Sequence, residues 1–152
     1  MGSTSDADTM RGASDVLTSL GIEVEVRVLS AHRTPDAAAE YADTARDRGI
    51  AVIIAGAGMA AHLAGALAAR TTLPIIGVPI SSGALNGIDA LYATVQMPSG
   101  IPVATVGVNG SKNAGMLAAQ IIGVTDADVA ARIQQARDDN AEKILGSEVV
   151  YD

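Results

Sequence analysis

The chain has 152 residues and a formal net charge of −7 at pH 7, so a large basic surface for nucleic acid is not expected. It contains no cysteine, which excludes thiol catalysis, disulfides and thiolate metal sites and fits a cytoplasmic protein. The polar start, MGSTSDADTM, does not read as a signal peptide, and no apolar run approaches the ~18 residues of a membrane span.

The apolar residues of this chain are small. Hydrophobic residues make up 49% of the sequence, but Phe and Trp are absent and only three tyrosines are present. Alanine, valine, isoleucine, leucine and glycine must therefore fill the interior. So much apolar content in a short chain predicts a homo-oligomer, in which further copies cover part of the surface; an alanine-rich monomer is the alternative.

The first third of the chain predicts a helix, a strand and a second helix. Residues 9–20 have the pattern of a helix. Residues 22–29 alternate apolar and polar side chains, which is typical of a strand. Residues 35–48 form the next predicted helix, with Thr34 as its N-cap and Pro35 at the first helical position.

The remaining elements continue the alternation of strands and helices. Continuous apolar runs such as AVIIAGAG are typical of strands that are buried on both faces. Such strands are predicted at residues 51–58, 73–80 and 101–108, and helices at residues 60–70, 88–95, 113–122 and 126–145. Either Asp126 or Thr125 is the predicted N-cap of the last helix. The closing SEVVYD has no pattern that assigns it a role.

This alternation predicts a single α/β domain over residues 1–152, doubly wound around a parallel sheet. In such folds, ligands bind beyond the carboxyl ends of the strands. The first helix departs from the pattern because no strand precedes it, and Met1 begins directly at a polar turn. We therefore expect a sheet from which the first strand is missing.

The first polar turn, GSTSD at residues 2–6, is a candidate cradle for phosphate or ribose. Ser3 and Ser5 offer hydroxyls, and the helix that follows directs its first N–H groups outward. Asp6 would repel a phosphate but can accept hydrogen bonds from sugar hydroxyls. The alternative is an ordinary helix cap, for which Ser and Asp are preferred residues.

The segment SAHRTP places His32 and Arg33 between a predicted strand and the next helix. An imidazole takes up and releases protons near neutral pH, since its unperturbed pKa is ~6.5. A guanidinium binds a phosphate or carboxylate through two parallel hydrogen bonds. Because both residues follow the carboxyl end of a strand, we favour a functional site over a solvated surface pair.

The segment AGAGMAAHLAG contains a formal match to the dinucleotide fingerprint at residues 56–61. No acidic residue lies close to the required place about 20 residues further on, so we expect no nicotinamide cofactor. His62 either contacts a ligand or packs within the helix, and the sequence favours neither. The polar loop at residues 79–91 is suited to close over a ligand.

Metal and hydrolase chemistry are not expected. Two histidines, no cysteine and no tight carboxylate cluster leave no recognisable set of metal ligands. The chain lacks the GxxxxGK[ST] loop of many ATP-binding proteins and the GxSxG turn of serine hydrolases.

Taken together, the turns resemble those of one family. MGSTSD, SAHRTP, AGAGMAAHLAG, LPIIGVP and VQMPSGIPVATV are similar, in the same order and across nearly the whole chain, to segments of the N5-carboxyaminoimidazole ribonucleotide mutases, the bacterial PurE type. The resemblance implies a flavodoxin-like three-layer α/β/α sandwich, a homo-octamer, and an enzyme of de novo purine synthesis without metal, ATP or other cofactor. It would move a carboxyl group from the exocyclic nitrogen to ring carbon C4 of aminoimidazole ribonucleotide.

The resemblance also implies which residues form the site. His32 would carry protons, Arg33 and the turn of Ser3 and Ser5 would hold the 5′-phosphate end, and Asp6 would hold the ribose. The full set of implied substrate contacts is Ser3, Ser5, Asp6, Ser30, Ala31, Arg33, Gly58, His62, Ser81 and Leu85.

Two residues depart from the family pattern GAGGAAHLPG, since Met59 replaces a glycine and Ala64 a proline. Met59 is expected to narrow the pocket or to shift the backbone. Two alternatives to the mutase stay open. One is direct carboxylation of aminoimidazole ribonucleotide, against which the intact SAHRTP and AAHL segments argue. The other is a non-catalytic nucleotide-binding domain, which the missing strand and Met59 favour.

Overall fold

A computed structural model of the chain describes residues 1–147, and the closing residues 148–152 lie outside the described part. The predicted alternation of helices and strands is confirmed, with one exception at residues 22–29. The elements in chain order are a short 3-10 turn (Thr4–Asp6), α1 (Ala7–Ser19), α2 (Pro35–Ala45), β1 (Ile53–Gly58), α3 (Leu63–Ala68), β2 (Ile75–Ile80), α4 (Ile88–Val95), β3 (Ala104–Thr105), α5 (Ser111–Gly123) and α6 (Ala127–Leu145).

The strands form one parallel sheet in the order β1-β2-β3. β1 pairs with β2 along its whole length, so that its last residue, Gly58, lies opposite Ile80. β3 has only two residues, where the sequence predicted a strand over residues 101–108. Since all three strands are parallel, their carboxyl ends meet at one edge, called here the carboxyl edge of the sheet.

Helices cover both faces of the sheet. On β2, Ile76 and Val78 point to one face, where they pack with α1, α5 and α6, and Ile75 points to the other, where it packs with α2 and α3. All six residues of β2 are buried, as its continuous apolar run predicts. The expected three-layer α/β/α sandwich is therefore confirmed.

The helix caps follow the sequence signals only in part. The Asp126 carboxylate caps α6 as predicted, since it accepts hydrogen bonds of 3.0 Å from the backbone N–H groups of Asp128 and Val129. Thr34 lies at the N-cap position of α2, but its hydroxyl bonds to Ser30 instead. It accepts from the Ser30 N–H at 2.9 Å and donates to the Ser30 carbonyl at 3.1 Å. Thr34 therefore shapes the turn that precedes α2 rather than the helix itself.

The predicted strand over residues 22–29 is wrong, because this segment belongs to no ladder of the sheet. It makes strand-like bonds only near its end, where the Met1 amine donates to the Arg27 carbonyl and the Leu29 N–H donates to the Met1 carbonyl, both at 2.9 Å. Val26 is 56% exposed. A strand forms when a neighbour pairs with its backbone, and alternating side chains alone cannot supply that neighbour.

A cleft of 1010 Å³ lies between this segment and β1. Val24 and Val26 line one wall, Ile53 and Ala55 line the other, and α1 contributes Leu17 and further apolar side chains. Two strands that flank a third lie roughly 10 Å apart, since neighbouring strands are ~4.8 Å apart. The cleft is therefore wide enough for one strand between residues 22–29 and β1, and its walls are apolar.

Candidate active site

The turn at residues 2–6 is anchored to the carboxyl edge of the sheet. The Gly2 N–H donates to the Gly56 carbonyl at 3.0 Å, which fixes the turn against β1. Within the turn, the Ser3 hydroxyl accepts from the Ser5 N–H at 3.3 Å and the Asp6 carboxylate accepts from the Ser3 N–H at 3.0 Å. Ser3 and Asp6 thus form a capping box, a structural role that does not exclude ligand binding by the same turn.

Arg33 joins this turn to the segment SAHRTP. Its Nη2 donates to the Gly2 carbonyl at 2.9 Å, and its Nε donates to the Ser30 hydroxyl at 3.4 Å. A guanidinium has five N–H donors, so these two bonds leave others to bind an anion. Ser30, which the sequence placed among the substrate contacts, also accepts from the Arg33 backbone N–H at 3.2 Å. Its hydroxyl therefore positions Arg33.

His32 and His62 form a hydrogen-bonded pair. The Nε2 atom of His32 lies 2.8 Å from the Nδ1 atom of His62, although 30 residues separate them in the chain. The two ring planes are nearly perpendicular, at 85°, with 4.9 Å between their centroids. Both side chains are exposed rather than packed in the core. The structure therefore brings together the predicted acid/base residue and the histidine that the sequence left undecided.

Gly58 ends β1 in close contact with the loop after β2. A Cβ atom at this position would lie 2.3 Å from the Ser82 hydroxyl and 3.1 Å from the Ile80 carbonyl, so a larger residue would have to move the Ser82 side chain and shift the Ile80 carbonyl slightly. The contact identifies Ser82 as a residue of the carboxyl edge that was not among the individually predicted contacts. Its signal in the sequence was the polar run that follows a buried strand.

Met59 adopts a left-handed backbone conformation, with φ +52. For a residue other than glycine, this conformation costs roughly 1–2 kcal/mol. The side chain is 58% exposed and lies against Gly83, where a Cβ atom would be 3.7 Å from the methionine Cγ and Sδ. Met59 therefore keeps a backbone shape that glycine adopts freely and places its side chain beside the loop after β2.

Three further residues were predicted to contact the substrate. Ser81 and Leu85 lie in the loop after β2, and Ala31 packs against the core. The Ser81 N–H donates to the Asn109 side-chain oxygen at 2.9 Å, so Asn109, which sequence reasoning missed, positions the loop after β2. Leu85 lies in the same loop and is 60% exposed. Ala31 packs against the cluster formed by α2 and α3, so its side chain faces the protein interior.

Metal-binding groups and membrane-spanning helices can be assessed for residues 1–147. Within them, no group of three or more His, Asp or Glu side chains is arranged to hold a metal ion. No helix of this part of the chain is both long and apolar enough to cross a membrane.

Residues 1–143 match the family model described as AIR carboxylase. The chain belongs to this family. The N5-carboxyaminoimidazole ribonucleotide mutase of Bacillus subtilis is 56% identical over 149 residues, which cover 97% of this chain and 92% of the relative. The mutase of Pyrococcus abyssi is 54% identical over 139 residues, with 91% and 80% covered. The crystal structure of Treponema denticola PurE has a TM-score of 0.84 at 30% identity, with 95% and 90% covered.

These findings confirm the predicted family and the predicted flavodoxin-like fold. In this member of the AIR carboxylase family, three turns meet at the carboxyl edge of the sheet. They supply serine hydroxyls, the buried Asp6 carboxylate and the Arg33 guanidinium, whose five N–H donors exceed its two side-chain bonds. They also supply the hydrogen-bonded imidazoles of His32 and His62. Such a set suits a ligand that carries hydroxyls and an anionic group, and it can move protons on that ligand.

Proposed function

We propose that the chain is an N5-carboxyaminoimidazole ribonucleotide mutase of de novo purine synthesis, which forms 4-carboxy-5-aminoimidazole ribonucleotide. The observation that carries the proposal is the 56% identity to a curated mutase over 97% of the chain. The geometry agrees, because an exposed imidazole pair lies beside turns that are rich in hydrogen-bond donors and acceptors. We include a cytoplasmic location in the proposal, because the absence of cysteine fits that compartment.

The reaction needs proton transfer at two atoms. The bond between the exocyclic nitrogen and the carboxyl carbon breaks, and a bond between that carbon and C4 forms. The nitrogen gains a proton and C4 loses one, so nothing is oxidised or reduced. We assign this proton transfer to His32, because an imidazole can accept and donate a proton near neutral pH. We expect the carboxyl group to leave the nitrogen as carbon dioxide before it bonds to C4. This carbon dioxide must stay beside C4, which requires a covered site.

We assign binding of the nucleotide to the turn at residues 2–6 and to Arg33. The unused N–H groups of Arg33 suit the 5′-phosphate in fork geometry. The carboxylate of Asp6 retains acceptor capacity for ribose hydroxyls beside its bond to the Ser3 N–H. Gly58, His62, Ser81 and Leu85 complete the proposed site from the turns after β1 and β2.

A direct carboxylase is the second candidate, because the matching family model carries the name AIR carboxylase. Two assays separate the candidates. The mutase converts N5-carboxyaminoimidazole ribonucleotide without added bicarbonate, whereas the carboxylase converts aminoimidazole ribonucleotide with bicarbonate alone. Binding of both nucleotides without turnover of either would instead identify a non-catalytic binding domain.

Replacement of Arg33 by alanine should raise KM more than it lowers kcat. The variant loses charge-assisted bonds to the proposed phosphate, each of which contributes roughly 1.5–3 kcal/mol, so we expect KM to rise about 10-fold or more. Steady-state kinetics over a range of nucleotide concentrations that reaches saturation would measure both constants. Arg11→Ala is the matched control, since Arg11 lies on α1, where it forms an ion pair with the exposed Asp8. An unchanged KM in Arg33→Ala would contradict the assignment.

We also propose that the chain forms a homo-oligomer, specifically the octamer that the resemblance implies. Ile88, Tyr92 and Val95 lie along one face of α4 and are 52%, 61% and 48% exposed. An uncovered apolar stripe of this kind is typical of an interface. Light scattering should give about eight times the chain mass of 15.3 kDa. Tyr92→Lys should lower this mass, whereas Val124→Lys, at an exposed valine before α6, should leave it unchanged.

A further inference from the structure

The hydrogen bond between the two histidines has a consequence for their outer nitrogens. The inner atoms, Nε2 of His32 and Nδ1 of His62, lie 2.8 Å apart, so one of them carries a proton and the other accepts it. The outer atoms are Nδ1 of His32 and Nε2 of His62. Within residues 1–147, neither outer atom has a hydrogen bond to another protein group, and both rings are exposed.

The protonation states of the outer nitrogens are linked. When both rings are neutral and His32 donates the inner bond, its outer Nδ1 is bare and the outer Nε2 of His62 carries a proton. When His62 donates the inner bond, the two outer states are reversed. The neutral pair therefore always presents one proton donor and one proton acceptor. These two roles exchange when the bare outer nitrogen gains a proton, the inner proton crosses and the opposite outer nitrogen loses its proton.

We propose that His32 and His62 act together as a two-ring proton relay between C4 and the exocyclic nitrogen of the substrate. The proposal rests on the proposed mutase function and extends it, because a single ring would have to visit both atoms in turn. The proton that leaves C4 binds one outer nitrogen, the inner proton crosses the 2.8 Å gap, and the outer N–H of the other ring protonates the exocyclic nitrogen. One proton enters and one leaves, so the charge of the pair is the same before and after turnover.

Two variants of His62 distinguish the relay from a purely positioning role. His62→Asn places its amide near the former Nδ1 and can keep the bond to His32, but it lacks an outer nitrogen. His62→Gln places its amide near the former Nε2 and loses the bond to His32. We expect both variants to lose about 10-fold or more in kcat, with little change in KM. Wild-type kcat in either folded variant would overturn the relay, since neither amide can carry the proton through.

Nitrogen NMR of the ligand-free protein tests the pair without any assay. In protein with ¹⁵N-labelled histidine, we expect a coupling across the hydrogen bond between His32 Nε2 and His62 Nδ1, which His62→Gln should abolish. We also expect opposite protonation of the two outer nitrogens when both rings are neutral. Absence of this coupling in the wild-type chain would overturn the relay. A wild-type chain that does not turn over N5-carboxyaminoimidazole ribonucleotide would instead refute the proposed function. Failure of the relay and failure of the proposed function are therefore distinguishable.

Discussion

His32→Asn should turn over N5-carboxyaminoimidazole ribonucleotide at least ~100-fold more slowly than the wild-type chain. Asparagine keeps a polar side chain of similar reach, but its amide does not exchange protons near neutral pH. The nucleotide should still bind, because the contacts to its phosphate and ribose are assigned to Arg33 and Asp6. Single-turnover kinetics would measure the chemical step, and calorimetry would measure the dissociation constant.

A control for this variant lies four residues further along the chain. Asp36 is an exposed carboxylate in the first turn of α2, so Asp36→Asn changes a charge near His32 in the sequence without removing the ring. We expect Asp36→Asn to retain turnover within about twofold, as is usual for surface substitutions. If His32→Asn keeps the wild-type rate, His32 has no part in proton transfer and the relay with His62 fails as well.

Local sequence signals were sufficient wherever one segment determines its own structure. The continuous apolar run of β2 predicted a strand that is buried on both faces, and Asp126, one of the two predicted candidates, caps α6. The turn at residues 30–35 was expected at the carboxyl edge because a predicted strand precedes it; it lies there, bonded to His62 and Gly2, although that strand does not form. The family resemblance then supplied the substrate, which no local pattern specifies.

Features that depend on a partner elsewhere in the chain could not be predicted in this way. His62 stayed ambiguous because its bond to His32 joins residues that are 30 positions apart. Arg33 was predicted to hold an anion, but its bond to the Gly2 carbonyl shows a second role that only the folded chain reveals. The alternation at residues 22–29 predicted a strand, yet Val24 and Val26 line a cleft, since no strand among residues 1–147 pairs with their backbone.

Filling this cleft should stabilise the fold. An apolar extension of about six residues, such as Val-Ala-Val-Val-Ile-Val placed directly before Met1, should form a strand between residues 22–29 and β1. Met1 already has the parallel hydrogen-bond pattern opposite Val28, since it bonds to both Arg27 and Leu29. The extension would continue that register along the open backbone.

Burial of apolar side chains and removal of the Met1 charge both contribute to the expected gain in the free energy of unfolding. Each buried valine or isoleucine contributes roughly 1.5–3 kcal/mol, and ordering each residue costs roughly 1–2 kcal/mol. The extension also converts the Met1 amine into an amide. Burial lowers the pKa of this amine, and the Asp6 carboxylate opposes that shift, so removal of the charge relieves a desolvation penalty. We expect a net gain of about 2–4 kcal/mol and a Tm higher by roughly 10 °C.

The matched control is an extension of the same length made of serine and glycine, which also removes the terminal charge but has no apolar side chains to bury. Thermal unfolding would compare the two proteins, and hydrogen exchange would locate the effect. The apolar extension alone should protect the backbone N–H groups of residues 22–28 that face the cleft, because a strand there would pair with them. Equal Tm and equal exchange in both proteins would mean that the cleft does not accept a strand. In that case, the exposed valines of residues 22–29 would need another explanation.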